Sequence, residues 1–435
     1  MKRIRIKGGR VIDPGNLDGH MDITVENGKI TAIDDPKNNG DGAAFDKYNA
    51  KWGRIIDASG KIIAPGFIDM HVHFREPGHE YKETIFSGCQ AAASGGFTAV
   101  CTMPNTHPVN DNRQVTEYIV DQAAKASLIN VYPVAAISLG LQGKQLCEYG
   151  DLKKSGVIAV SDDGRPVTSS QLMRCALEYA GEFGLLVISH CEDLALSADG
   201  VMNEGPTATQ MGLAGIPNAA ESIMVMRDIA LCQLTGIPLH IAHVSTLESV
   251  CAIREAKKKS IPVTAETAPH YFTLTEESVR GYNTNAKINP PLRSQTDQMA
   301  VIEGLADGTI DVIASDHAPH STIEKEVEFD QAANGIIGLE TSVSLSLKLV
   351  ENSILTMSDL IKKMSKNPAR ILGLHNDLTI GSSADLTIID PDQSYTVDPD
   401  TFRSKSRNTP FAGWEVKGKA VLTMVGGRIV YEDTL

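Results

Sequence analysis

Apolar and polar residues alternate with a period of two near the start of the chain, in I-R-I-K, G-G-R-V-I-D, M-D-I-T-V and G-K-I-T-A-I, with Gly and Asp between the runs. Successive side chains of a strand point to opposite faces, so this pattern predicts short antiparallel strands, each with one buried face. A polar, Gly-rich stretch from Asp34 to Lys51 reads as a loop. The same alternation returns after Gly381, in A-D-L-T-I-I-D and A-V-L-T-M-V-G-G-R-I-V-Y. The two ends resemble each other and differ from the middle. They predict a small β-sandwich domain assembled from residues 1–62 and 375–435.

Between the ends, short β-rich runs alternate with longer helical patterns, as βαβ units do. Strands are predicted near Ile62 to Asp69, Phe97 to Thr102, Val131 to Ile137, Val157 to Ser161, Leu185 to Ser189, Pro238 to Ala242, Ile261 to Glu266 and Asp311 to Ser315. Helices such as Glu83 to Ala93, Ser170 to Phe183, Ala219 to Leu234 and Thr246 to Lys258 fall between them. Parallel strands joined by crossover helices close economically into an α/β fold of the (β/α)8 TIM-barrel type, here over residues 63–374. In such a barrel the function sits at the C-terminal ends of the strands. His71, His73, Asn105, Asp162, Asp163, His190, His243 and Asp316 all fall there.

Composition narrows the partners. Forty Lys and Arg against 54 Asp and Glu give a formal charge of -14, which repels polyanions and disfavours nucleic acid and anionic membrane surfaces. A small anion is not excluded, because a few converging cations outweigh distant, screened charge. The seven cysteines are scattered and never spaced as C-x-x-C, so most of them read as buried small hydrophobes in a reducing compartment. The start carries no apolar signal-like run, and the expectation is a soluble, cytoplasmic protein.

His71 and His73 project from the same face of a strand and can share one cation. Twelve histidines in 435 residues give roughly 0.3 H-x-H pairs by chance, so the pair needs context. His190, His243 and Asp316 supply it, each directly after an apolar run. Four histidines and a carboxylate exceed what one zinc site uses, three protein ligands and a water, so two metals fit better. Such a pair needs a bridging anionic group and holds a bridging hydroxide as nucleophile. Asp162 and Asp163 in S-D-D-G are the candidate bridges; alone they would read as an ordinary strand-end turn. Arg75 follows the first two histidines, and with Asn105 and His320 it would form a pocket for a carboxylate.

The motifs H-V-H-F-R-E-P-G, M-P-N-T, S-D-D-G, A-E-T-A-P-H, K-I-N-P-P-L-R and I-A-S-D-H-A-P-H resemble those of dihydroorotases, within the cyclic amidohydrolases of the metal-dependent amidohydrolase superfamily. The resemblance covers nearly the whole chain, including Asn367-Pro368-Ala369-Arg370 after the barrel. It implies two Zn²⁺ per chain, with His71 and His73 on one, His190 and His243 on the other, and Asp316 as a ligand that also handles protons. Many superfamily members bridge the metals with a carboxylated Lys; this sequence matches the branch that uses an Asp, taken as Asp163. Arg75, Asn105 and His320 resemble the residues holding the substrate carboxylate, and Asn289 one that contacts the pyrimidine ring. The family's Pro-Phe-Gly loop reads Ala333-Asn334-Gly335 here, and Gly335 keeps the backbone position.

The implied activity is reversible conversion between dihydroorotate and N-carbamoyl-L-aspartate in pyrimidine biosynthesis. The implied partners are a small anionic substrate and either a second copy of the chain or an aspartate carbamoyltransferase. Two rivals are a sister enzyme acting on allantoin, a dihydropyrimidine or a hydantoin, and a catalytically silent scaffold for a carbamoyltransferase. The scaffold would be expected to have lost metal ligands, and all six candidates are present.

Overall fold

The computed structural model describes residues 3–35 and 53–433; nearly all of the loop expected over Asp34 to Lys51 lies outside the described residues. Eight strands form one parallel sheet in sequential order: Phe67–Val72, Phe97–Thr102, Asn130–Ala135, Ala159–Ser161, Leu186–Ser189, Leu239–Ile241, Val263–Thr267 and Val312–Ile313. The first two are buried at every position, as strands must be when helices cover one face and the barrel interior fills the other. The (β/α)8 expectation therefore holds.

The helices start where the sequence offers a cap. Thr84, Asn112, Ser169, Thr246 and Ser294 each accept a backbone N–H in the first turn of the helix they precede. The helices Asn218–Thr235 and Gln295–Asp307 end at Gly236 and Gly308, both in the left-handed conformation that glycine takes without strain. Leu372, on the short helix Asn367–Leu372, packs with Cys101, Val134, Ala159, Ile188 and Ala242 from successive strands and so closes the barrel floor.

The first and eighth strands are stitched together largely by a side chain. The Asp69 carboxylate accepts from Ser315 N at 3.1 Å and from His71 N at 3.0 Å, and His73 N donates to His317 O at 2.8 Å. Between Asp69 and Val72 the pairing with the second strand slips by one residue. This bulge turns both Met70 and His71 inward, Met70 against Val312 and Ala314, and sends Val72 to the helix-facing core.

The chain ends build an eight-stranded mixed sheet. Arg3–Asp13 pairs with Leu17–Glu26 and, in parallel, with Gly53–Asp57 and Ile62–Pro65, and Ile62–Pro65 leads on to Leu386–Thr396, Glu415–Val425 and Arg428–Glu432. The expected sandwich takes the form of one hydrogen-bonded sheet folded over its own core: Ile30 N donates to Ser382 O at 3.0 Å, and Ala384 N to Gly28 O at 2.9 Å. Ile6, Ile23, Ile30, Leu386 and Met424 meet inside.

The run Ile62 to Asp69, expected as one strand, is two. Ile62–Pro65 belongs to the terminal sheet and Phe67–Val72 to the barrel, with Gly66 between them, so the expected boundary at residue 62 falls within a strand of the terminal sheet. A two-stranded ribbon of Met202–Asn203 and Gly215–Ile216 was not expected; each strand is too short to carry a periodic signal. Five of the seven cysteines are buried, Cys175 is half-buried and Cys251 is exposed; all are free thiols.

Candidate metal centre and binding cleft

The strand ends bring His71, His73, Asp163, His190, His243 and Asp316 into one cluster at the barrel mouth, every one of them buried. Asp163 is shared. Its Oδ1 lies 3.3 Å from His71 Nε2, 3.5 Å from His190 Nδ1 and 3.3 Å from His243 Nε2, and its Oδ2 lies 3.5 Å from His73 Nε2. Asp316 Oδ1 stands 3.2 Å from His73 Nε2 and 3.7 Å from His71 Nε2. Two triads result, His71–His73–Asp163 and Asp163–His190–His243, each with donor atoms within 4.8 Å of one another.

The donor set fits a pair of divalent cations. Ligands about 2.0–2.2 Å from a tetrahedral ion lie roughly 3.3–3.6 Å apart, close to most of these spacings. His71 Nε2 is buried without a hydrogen-bond partner, a costly arrangement that a metal would relieve. The outer nitrogens are already engaged: His71 Nδ1 with Glu266 Oε1 at 2.7 Å, His73 Nδ1 with Asn105 Oδ1 at 2.9 Å, and His190 Nε2 with Glu192 Oε2 at 3.0 Å. Each such bond fixes the ring so that its other nitrogen is aimed at the cluster. For His190 that inner nitrogen is Nδ1.

Burial opposes ionisation of Asp163, but His71 and the hydrogen bonds from His190 and His243 outweigh it and hold the carboxyl well below its usual range. Asp162 turns the other way, accepting from Ser138 N at 3.0 Å and from the Ser138 hydroxyl, and burial pushes it up to about 6. Of the two aspartates, the cluster therefore takes Asp163. His243 and Asp316 have φ of 32° and 46°, and Arg75 has φ of 64°, a conformation costing roughly 1–3 kcal/mol that surrounding structure must enforce.

A cavity of about 220 Å³ opens onto the cluster, lined also by Arg75, Asn105, Asn289, His320 and Gly335. Drug-sized sites run to roughly 300–1,000 Å³, so this one suits a single small ring. A larger cavity of about 460 Å³, lined by Asp307, Asp311, Lys363 and Arg370, lies at the opposite end of the barrel, away from the cluster. The Arg75 guanidinium donates to Pro319 O at 3.1 Å and sits 3.3 Å from His320 Nε2; among the described residues it forms no ion pair, and burial lowers it to about 10. Asn105 spends its Oδ1 on His73, which leaves its amide N–H groups to the cavity.

Sequence reasoning missed Glu192. Its Oε2 accepts from His190 on one side and from Asn289 Nδ2 at 3.0 Å on the other, and although burial opposes it these bonds hold its carboxyl at about 2. Glu192 lies two residues beyond His190, and that spacing was the available signal; its other partner is 97 residues away in sequence. Glu266 was missed likewise, although it stands in the A-E-T-A-P-H motif.

Two adjoining triads that could each hold a metal ion, at a barrel mouth and facing a cavity of single-ring size, fit a metal-assisted hydrolase of small rings. Its relatives narrow that class. Residues 60–249 match a family described as dihydro-orotase-like. Over 429 residues the chain is 60% identical to a dihydroorotase of Desulforapulum autotrophicum, covering 99% of both chains, and over 433 residues 55% identical to one of Syntrophus aciditrophicus, covering 99% of this chain and 100% of that one. The L-hydantoinase of Arthrobacter aurescens superposes with a TM-score of 0.86 at 26% identity, over 100% of this chain and 97% of that one. The chain belongs to the dihydroorotase family. Among the described residues no helix is long and apolar enough to cross a membrane.

Proposed function

We propose that the protein interconverts dihydroorotate and N-carbamoyl-L-aspartate, as a cytoplasmic step of pyrimidine biosynthesis, with two Zn²⁺ held by His71, His73, Asp163, His190, His243 and Asp316. The observation that carries this reading is Arg75: a half-buried guanidinium beside the His/Asp cluster, with no carboxylate partner among the described residues. A substrate carboxylate completes it, with the Asn105 amide as a further donor and the His320 ring beside the guanidinium. Neutral hydantoins, dihydropyrimidines and allantoin offer no ring carboxylate and leave it unmatched.

When bound, zinc supplies a Lewis acid for the amide carbonyl and lowers the pKa of water toward about 7. The chain does the rest. Arg75 and Asn105 fix the carboxylate end, and Asn289, tethered through Nδ2 to Glu192, presents its Oδ1 to the ring N–H. Asp316, on the cluster's open side, takes the proton from the attacking water and delivers it to the leaving ring nitrogen; ring closure runs the same path backwards. The test is metal content together with turnover of dihydroorotate, allantoin and hydantoin. About two zinc per chain and turnover confined to dihydroorotate are expected; faster turnover of a neutral ring would sink the assignment.

A further inference from the structure

The two loops that frame the ring end of the cavity carry Ile288 and Asn289 on one side and Asn334 and Gly335 on the other. A single buried side chain ties them together. Lys325 Nζ donates to Ala333 O at 2.8 Å, Gly335 O at 3.1 Å and Lys287 O at 3.3 Å. All three acceptors are backbone carbonyls and none is a carboxylate. A protonated lysine has three N–H donors and no acceptor, so three carbonyls match the ammonium form one for one. Around this centre Gly335 N donates to Lys287 O at 2.9 Å, and Asn408 Nδ2 donates to Gly335 O at 3.0 Å. Gly335 is held so close to its neighbours that a Cβ would stand 2.7 Å from Ala318 O and 2.8 Å from the His320 ring. Any shift of this loop therefore reaches His320 directly.

We infer that Lys325 is a positioning residue: its ammonium clamps the 287–289 and 333–335 loops against each other and so sets the width of the cavity for the substrate ring. It touches neither the metal cluster nor the cavity itself, so its effect falls on substrate binding. Burial, with Lys287 adding to it, lowers this lysine from its ordinary range to about 7. The ammonium is present below that pH and lost as pH rises through it. A neutral amine keeps two donors and gains a lone pair, so one of the three carbonyls loses its partner. The charged groups around it are Lys287 and Asp330 in the loops, His320 and Glu324 on its own segment, and Lys82 and Arg75 across His320.

The inference rests on the dihydroorotate reading for its kinetic arm only. Lys325→Met is expected to raise KM for dihydroorotate by about 10- to 100-fold with kcat changed by less than about threefold and zinc content unchanged. The ratio of variant to native KM should fall toward one as pH rises from about 6 to about 9, because only the native enzyme has an ammonium to lose. Hydrogen exchange at the Gly335 amide, read by mass spectrometry, should quicken in the variant while the helix Asn218–Thr235 is unaffected. Exchange at Gly335 unchanged by the substitution, or an unchanged KM, overturns the clamp. Should the variant not fold, Lys325→Gln, which keeps two N–H donors, takes its place under the same exchange and KM readouts. Faster exchange in a protein that fails to turn over dihydroorotate would uphold the clamp and reject the activity.

Discussion

At the scale of single residues, the proposed function gives binding and chemistry to different side chains, which should then separate in kinetics. Arg75→Met removes a charge-assisted contact worth about 1.5–3 kcal/mol, so KM for dihydroorotate should rise by roughly 10- to 150-fold with kcat less affected. Asp316→Asn keeps the shape and much of the cluster but cannot accept the proton, so kcat should fall by about 10³-fold or more while circular dichroism stays native. Steady-state kinetics on the pair checks both; an unchanged KM removes Arg75 from the cavity, and near-native kcat removes Asp316 from proton transfer. The residues that the fold gathers at the cluster and cavity were legible in the sequence because each follows a β run or sits in a distinctive motif. The residues that hold them were not. Glu192 reaches Asn289 97 residues away, Glu266 reaches His71 195 residues away and Lys325 reaches Lys287 38 residues away, and a lone acidic or basic residue near a strand end or in a loop is ordinarily a solvated surface group.

At the scale of elements, period-two and βαβ patterning located all eight barrel strands, and Phe97–Thr102 was placed to the residue. What the pattern could not carry was the slip between Asp69 and Val72. Alternation implies that His71 and His73 share a face, but the bulge decides that the face is the interior, and a bulge is a property of the pairing rather than of one strand. Asp69 secures this geometry from the other side, since its carboxylate satisfies Ser315 N and His71 N where the first and eighth strands lack a full ladder. Asp69→Ala leaves both N–H groups buried and unpaired, at about 1–3 kcal/mol each. A loss of roughly 2–6 kcal/mol in urea unfolding is expected, with weakened zinc binding because His71 itself loses one of the bonds and Asp316 directly follows Ser315, which loses the other. Native stability with native metal content would show that the seam is held by the backbone alone.

At the scale of the whole molecule, the terminal sheet and the barrel are continuous through Gly66, and the split of the predicted strand there has a physical cause. Gly66 N donates to Asp385 O at 3.0 Å, across to the terminal sheet, while Gly66 O accepts from Ser365 Oγ at 3.0 Å and Asn376 Nδ2 at 2.7 Å, both near the barrel floor. Thr387 Oγ1 and Thr423 Oγ1 extend the junction to Gly96 O and Ala93 O. Sequence periodicity sees one apolar run here because both sheets bury their share of it. The residue is pinned by space as well as by hydrogen bonds, since a Cβ on Gly66 would lie 2.1 Å from Thr98 Oγ1 and 2.7 Å from Thr98 Cβ. Thr98 is on the second barrel strand and fully hemmed in, so relief must come from separating the sheet from the barrel. Gly66→Ala should therefore cost about 1–3 kcal/mol of stability, the range of overpacked cores. The centre lies at the other end of the first strand, beyond Asp69, so KM and zinc content of the folded fraction should stay native. Thermal unfolding combined with kinetics decides the matter: a raised KM at unchanged stability would mean that the terminal sheet acts on the catalytic end of the barrel rather than bracing its floor.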